Sequence, residues 1–415
     1  MSQYYHTPIK LTSSEQKYLE ATAACKLNYS YHSIMEDEIW IHPHPLLSES
    51  AVRPVKAECF AFAGTKAFFK TEGHVPFDIF AAIFFLLTRY EEYLPHQKDA
   101  FGRYAHTNAL AYKEQFLHLP VINIWLEAFR LLLQSKEPDW ASRGGQFAFV
   151  PTYDIDIAWS FKNKGFKRNA GAMLQLLAQG RLSSIIKRIK VLTNKLQDPF
   201  DSYAWMDDLH QRYGLHPIYF FLLADRTSKL DKNISIKNPV FQQLVRDVAA
   251  RYTVGLHPSW QSGDVRFLLK KEKGALEMLI NRNVQASRQH YIRFTVPETY
   301  RRLIDAGISH DYSMGYGSIN GFRASIATPF YWYDLQKEEK TTLLVHPFCF
   351  MDANAHYEQK LTPQQAAEEL KHYAHVVQSI NGTLCTIWHN SFLGTDPEFE
   401  GWREVYEQFV ASVHT

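Results

Sequence analysis

The alternation of apolar and polar positions changes character near residue 145. Upstream, two strongly apolar helical stretches, at 77–93 and 119–133, lie among short strand-like pieces, and no polar constellation converges. From Phe147 onward, short apolar runs alternate with amphipathic segments, the pattern of β/α units around a parallel sheet or barrel. Seven strands are expected: FAFVPTY before Asp154, HPIYFFLLA before Asp225, YTVGL before His257, a short piece at 287–294, AGISH before Asp311, TTLLV before His346 and TLCTIW before His389. Helical spacing fills the gaps at 201–213, 239–251, 267–281, 297–306 and 362–380, several of them opening on a capping Asp, Asn or Thr. The pattern predicts a smaller α+β accessory domain over 1–145 and an α/β domain over 146–415.

Nearly every expected strand ends in Asp, His or Arg. In parallel β/α architectures the C-terminal strand ends form one rim, where side chains distant in sequence meet. Asp154 and Asp156 stand two apart and share a face if the strand persists, as do Arg288 and His290. His257 and His389 end further strands. Asp225 and Asp311 read equally well as caps of the following helices. Two carboxylates so close are costly without a cation between them. One or two carboxylate oxygens with two imidazole nitrogens suit zinc or another late first-row divalent ion with one position open. Such an ion acidifies water, a nearby carboxylate takes the proton and a histidine protonates the leaving group, which is apparatus for amide or ester hydrolysis.

Composition narrows the field. With 46% hydrophobic and 21% charged residues the chain is an ordinary globular protein, and 45 Lys and Arg against 43 Asp and Glu exclude a dedicated nucleic-acid binder. Four scattered cysteines without a CxxC pair argue against a disulfide framework and predict a reducing, cytoplasmic setting. The opening residues lack the apolar core of a signal peptide, and the longest apolar run is too short to span a bilayer. The near-neutral total is a cancellation, because 161–196 holds nine Lys or Arg and no Asp or Glu. That segment reads as a basic amphipathic element for an anionic membrane surface or a lipid-linked glycan, or as a solvated helical insertion. Arg89, Glu91 and Glu92 read as an ion-pair cluster at a domain interface, and His42 and His44 as part of a surface turn. The Gly- and aromatic-rich stretch 311–323 lacks the lysine of a phosphate-binding loop and reads as a rim loop. Asp311 and Tyr316 of this stretch are substrate-binding candidates, with Tyr312, and so are Trp260 and Trp388 elsewhere in the chain.

These residues carry a resemblance. The C-terminal two-thirds resembles the polysaccharide deacetylase family (NodB homology, carbohydrate esterase family four), and the whole chain is similar to bacterial members with an additional N-terminal domain. TYDID resembles the family's spaced first motif, which implies Asp154 as general base and Asp156 as metal ligand. The second motif, two histidines four residues apart, is half present: His257 matches, but Gln261 stands where the second is expected. Arg288 resembles the arginine that orients the base, and His389 the late general acid. Ligand chemistry makes His290 the candidate replacement for the missing ligand. The resemblance implies a distorted seven-stranded β/α barrel and a zinc-dependent deacetylase of an N- or O-acetylated saccharide, with a role in surface polysaccharide biosynthesis. Two other readings stand beside it: an inactive relative that binds glycan or a partner enzyme, and a glycosyltransferase using AspIleAsp as a DxD element.

Overall fold

In the computed structural model, the residues described are 5, 9–23, 25–138 and 145–414. The connector at 139–144 therefore lies outside them.

The C-terminal two-thirds is organised by one nine-stranded sheet. In chain order its strands are β1 (Ala148–Ile155), β2 (Ile218–Leu222), β3 (Thr253–His257), β4 (Ala286–Ser287), β5 (His310–Asp311), β6 (Phe330–Asp334), β7 (Glu339–Val345), β8 (Phe350–Met351) and β9 (Thr383–His389). Their spatial order is β6-β7-β5-β4-β3-β2-β1-β9-β8. Every pairing is parallel except the β6/β7 hairpin. A strand forms at each of the seven expected places, although the one expected at 306–310 is reduced to His310–Asp311; the count is nine, and among the described residues no ladder joins β6 to β8. The expected strand at 287–294 shrinks to Ala286–Ser287, because the backbone turns into a 3-10 segment at His290–Ile292. β2 is buried along its whole length, as a central parallel strand covered on both faces must be.

Helices fall where the apolar spacing places them, at Tyr203–Tyr213, Pro239–Arg251, Arg266–Ile280, Glu298–Asp305 and Pro363–Ser379. Local chemistry fixes several ends. Asn238 accepts from the backbone amides of Val240 and Phe241, and Thr362 with Gln365 forms a capping box. The basic segment forms two helices, Phe166–Ala178 and Leu182–Leu192.

Upstream lie a short parallel pair (Leu27–Tyr29 with Ile39–Ile41), a short hairpin (Phe60–Phe62 with Thr65–Ala67) and the helices Ile79–Leu87 and Val121–Lys136. Asp78 caps the first of these helices and also accepts from Tyr29 Oη at 2.6 Å, so one carboxylate ties helix to sheet. His44 caps the 3-10 turn Pro45–Ser48 and stacks on Phe69, a structural use of the HxH pair. One continuous apolar cluster runs through both parts of the chain. Across the same contact Glu92 accepts from Arg89 at 2.8 Å and from Arg323 at 2.6 Å, all three buried, so the acidic and basic pattern at 89–92 is an ion-pair knot between the two parts.

Candidate active site

Parallel pairing aligns the strand ends. His389 at the end of β9 lies beside Asp154 of β1, and His257 at the end of β3 follows from the β2/β3 register. Asp156, one residue beyond β1, is the point where three imidazoles meet. Its Oδ1 lies 3.1 Å from Nε2 of His257, and its Oδ2 lies 3.5 Å from Nε2 of His290 and 3.7 Å from Nε2 of His389.

Each imidazole is anchored through its other nitrogen. Nδ1 of His257 lies 2.6 Å from the carbonyl oxygen of Arg288, which only accepts, so Nδ1 carries a proton and Nε2 is the atom turned to Asp156. Nδ1 of His290 lies 3.1 Å from Oδ1 of Asp231, and Nδ1 of His389 lies 2.6 Å from Oδ1 of Asp352. Carboxylate and carbonyl partners of this kind fix tautomer and orientation in metal-binding histidines.

The arrangement calls for positive charge. Oδ1 of Asp156 is buried without a hydrogen-bond partner, although Nε2 of His257 lies 3.1 Å from it. Burial opposes ionisation of Asp156, but His290 and His257 outweigh it and hold the carboxyl well below the usual range. Burial likewise opposes a charge on His290, but Asp156 and Asp231 overcome it and lift the imidazole to about 9. Asp156, His257 and His290 place their ligand atoms within 4.8 Å of one another, the spacing of a shared ion. These donors fit a divalent cation: two imidazoles and one carboxylate, whose Oδ1 is the orphaned oxygen.

Asp154 is held differently. Its Oδ1 accepts from the buried guanidinium of Arg288 at 2.8 Å, while its Oδ2 turns toward His257 at 3.8 Å. Arg288 also donates to the carbonyl of Tyr312 and lies over the Phe220 ring at 4.5 Å. That ring fits because residue 255 is glycine: a Cβ there would stand 2.5 Å from Phe220 Cε1. His389, beside Asp156, is pushed up to about 10; burial works against the charge, and Asp352 with Asp156 and Asp154 overcomes it.

Gln261, at the position where a second histidine is expected, donates to Oδ2 of Asp231 at 3.3 Å and to the carbonyl of Arg226 at 3.2 Å. It thus braces the carboxylate that orients His290. Asp231 and Asp352 were missed in the sequence. Asp352 had a signal, since FCFMD also ends an apolar run in Asp, whereas Asp231 lies in an irregular loop with no pattern around it.

Other candidates lie elsewhere. Asp311 is buried and accepts from the backbone amide and hydroxyl of Ser313, so it braces a turn and reaches no substrate. Tyr316 is buried beside Arg89 and Arg323, and Trp388 points away from the rim into the core against Tyr406. Tyr312 is buried on His346. The 311–323 stretch is therefore packing between the two parts of the chain, its glycines and aromatics serving close contact. Asp225 pairs with Lys271 at the surface. Trp260 alone of the aromatic candidates stays partly exposed, grouped with Tyr291 at 5.6 Å and Phe101 at 6.1 Å. Phe101 comes from the N-terminal part. So does Arg103, which donates to the carbonyl of Tyr291 at 2.7 Å and steadies the left-handed turn behind His290 (φ 58° at Tyr291).

Residues 1–138 match a family of unknown function, DUF7033. No curated protein matches the sequence. Among solved structures, the chain is similar to a polysaccharide deacetylase assignment from Mycobacterium smegmatis, at 12% identity and a TM-score of 0.42 over 66% of this chain and 86% of that one. An allantoinase gives 11% identity and a TM-score of 0.43 over the same shares, 66% and 86%. A polysaccharide deacetylase assignment from Pseudomonas aeruginosa PAO1 gives 11% and 0.42 over 65% of this chain and 85% of that one.

Proposed function

We propose that the chain is a divalent-metal-dependent hydrolase that removes an acetyl group from nitrogen or oxygen on a saccharide, with 146–415 as the catalytic domain and 1–145 as an accessory domain. The observation that carries the reading is the convergence of the anchored Nε2 atoms of His257 and His290 on the two carboxylate oxygens of Asp156, one of which is orphaned. Asp156, His257 and His290 would hold the ion, and the nitrogen-rich donor set favours zinc. When bound, such an ion polarises the acyl carbonyl and acidifies water.

The remaining groups divide the proton transfers. Asp154, oriented by Arg288, takes a proton from the attacking water as that oxygen bonds to the acyl carbon. His389, kept protonated by Asp352, gives its proton to the leaving nitrogen or oxygen as the acyl bond breaks. Acetate and the free amine or hydroxyl result. The partly exposed rings of Trp260, Tyr291 and Phe101 beside His290 offer faces for a sugar. A DxD reading loses its support, because Arg288 engages one carboxylate and imidazoles the other.

Acetate release from a panel of N- and O-acetylated mono- and oligosaccharides tests this. Wild type should turn over at least one, and Asp154→Asn should cost roughly 10²–10⁴-fold in kcat, the usual worth of a positioned base. Metal-loaded wild type that releases acetate from none would overturn the hydrolase reading.

A further inference from the structure

The two helices of the basic segment form an outward-facing hairpin that leaves an apolar stripe on each helix largely exposed. In Phe166–Ala178, Phe166, Leu174 and Leu177 stand at helical spacing on one face, and in Leu182–Leu192 so do Leu182, Ile186 and Ile189. These six side chains are between 46% and 87% exposed. Each helix buries a single residue, Asn169 in the first and Val191 in the second. Isolated exposed leucines need no explanation, but two aligned stripes on adjoining helices do.

The hairpin is firmly rooted. Asp198 accepts the backbone amides of Ser160, Phe161 and Lys162 at 2.6, 2.8 and 2.9 Å, closing its base. Arg188 of the second helix donates to Asn169 of the first at 2.7 Å, and its guanidinium lies over Phe161. The base lies just past the end of β1, where Asp154 and Asp156 stand, and so on the same rim as the candidate site.

Charge decides what covers this face. Across 161–196 there are nine Lys or Arg and no acidic residue. Lys167, Arg181, Lys190 and Lys195 are exposed, and none of the nine forms an ion pair with a carboxylate among the described residues. A second copy of the same hairpin would bring like charges together, whereas an anionic bilayer satisfies both the apolar stripes and the cations. We propose that this hairpin docks the protein on the surface of an anionic lipid bilayer, its six apolar side chains entering the headgroup boundary and its lysines and arginines lying among the lipid phosphates. The active-site rim then faces the lipid, in position for a membrane-anchored substrate.

The test is flotation of the full chain with vesicles of phosphatidylglycerol and phosphatidylcholine in equal parts, against vesicles of phosphatidylcholine alone. Wild type should float with the anionic vesicles, weaken as salt is raised and ignore the neutral ones. The triple variant Leu182→Ser, Ile186→Ser, Ile189→Ser and the charge variant Lys167→Glu, Lys190→Glu should each lose at least tenfold in affinity. Circular dichroism and Tm serve as fold controls; all five positions are exposed, and none belongs to the candidate active site. No binding to anionic vesicles, or binding unchanged in both variants, would overturn the proposal. So would a concentration-dependent dimer that the triple variant abolishes, since the face would then be an interface between copies.

Discussion

Asp352 shows how one buried carboxylate sets the chemistry of its neighbour. It holds His389 twice, through Nδ1 at 2.6 Å and through the backbone amide at 2.7 Å. An asparagine there keeps an acceptor for Nδ1 but loses the charge that keeps the imidazole protonated. Asp352→Asn should therefore lower kcat roughly ten- to a hundredfold, the usual cost of losing a partner behind a functional histidine, while metal content stays at the wild-type level. Equal losses of metal and activity would place His389 among the ligands instead. Residue chemistry was legible wherever a polar group closed an apolar run, as at Asp154, His257 and His389. Asp231 was hidden because its function comes from what it touches, His290 and the Trp260 amide, and spacing does not encode contact.

At the scale of elements, the turn after β3 is set by helix Arg266–Ile280. Glu272 of that helix accepts from the backbone amide of Ser259 at 2.9 Å and from its hydroxyl at 2.6 Å, fixing the chain just beyond His257. Burial raises Glu272 from the ordinary 4.5 to about 7 despite these bonds. The folded state then holds more protons than the unfolded state between those two values, so this group's contribution to stability is full below pH 4.5 and is lost as pH rises through about 7. Glu272→Gln removes that titration. The variant should lose less Tm than wild type between pH 5 and pH 8; an identical pH dependence would show that Glu272 does not titrate in that window. Most helices were legible from their apolar spacing and the central strands as short apolar runs, whereas the helix Trp402–Val413 and strand β6 were not expected. β4, β5 and β8 have two residues each, too few for alternation to register, and the 311–323 stretch looked like a rim loop because glycine and aromatics serve exposed turns and tight interfaces alike.

Across the whole molecule, the candidate site is assembled from strand ends and loops far apart in the chain, and the N-terminal part contributes to its surroundings. Arg103 steadies the Tyr291 turn, Phe101 extends the aromatic group around Trp260, and the Glu92 knot with Arg89 and Arg323 locks the contact. The sequence separated the two parts at residue 145 because their rhythms differ, but a continuous core and a shared buried ion cluster are tertiary facts that periodicity does not carry. In the proposed site Asp156, His257 and His290 hold one divalent ion, with Gln261 serving only as a brace. Metal content by plasma mass spectrometry on purified wild type, His290→Ala and Gln261→Ala addresses this assignment most directly. One zinc or similar ion per wild-type chain is expected, with its loss in His290→Ala and near-full retention in Gln261→Ala. Full retention in His290→Ala, or loss in Gln261→Ala alone, would contradict the assignment.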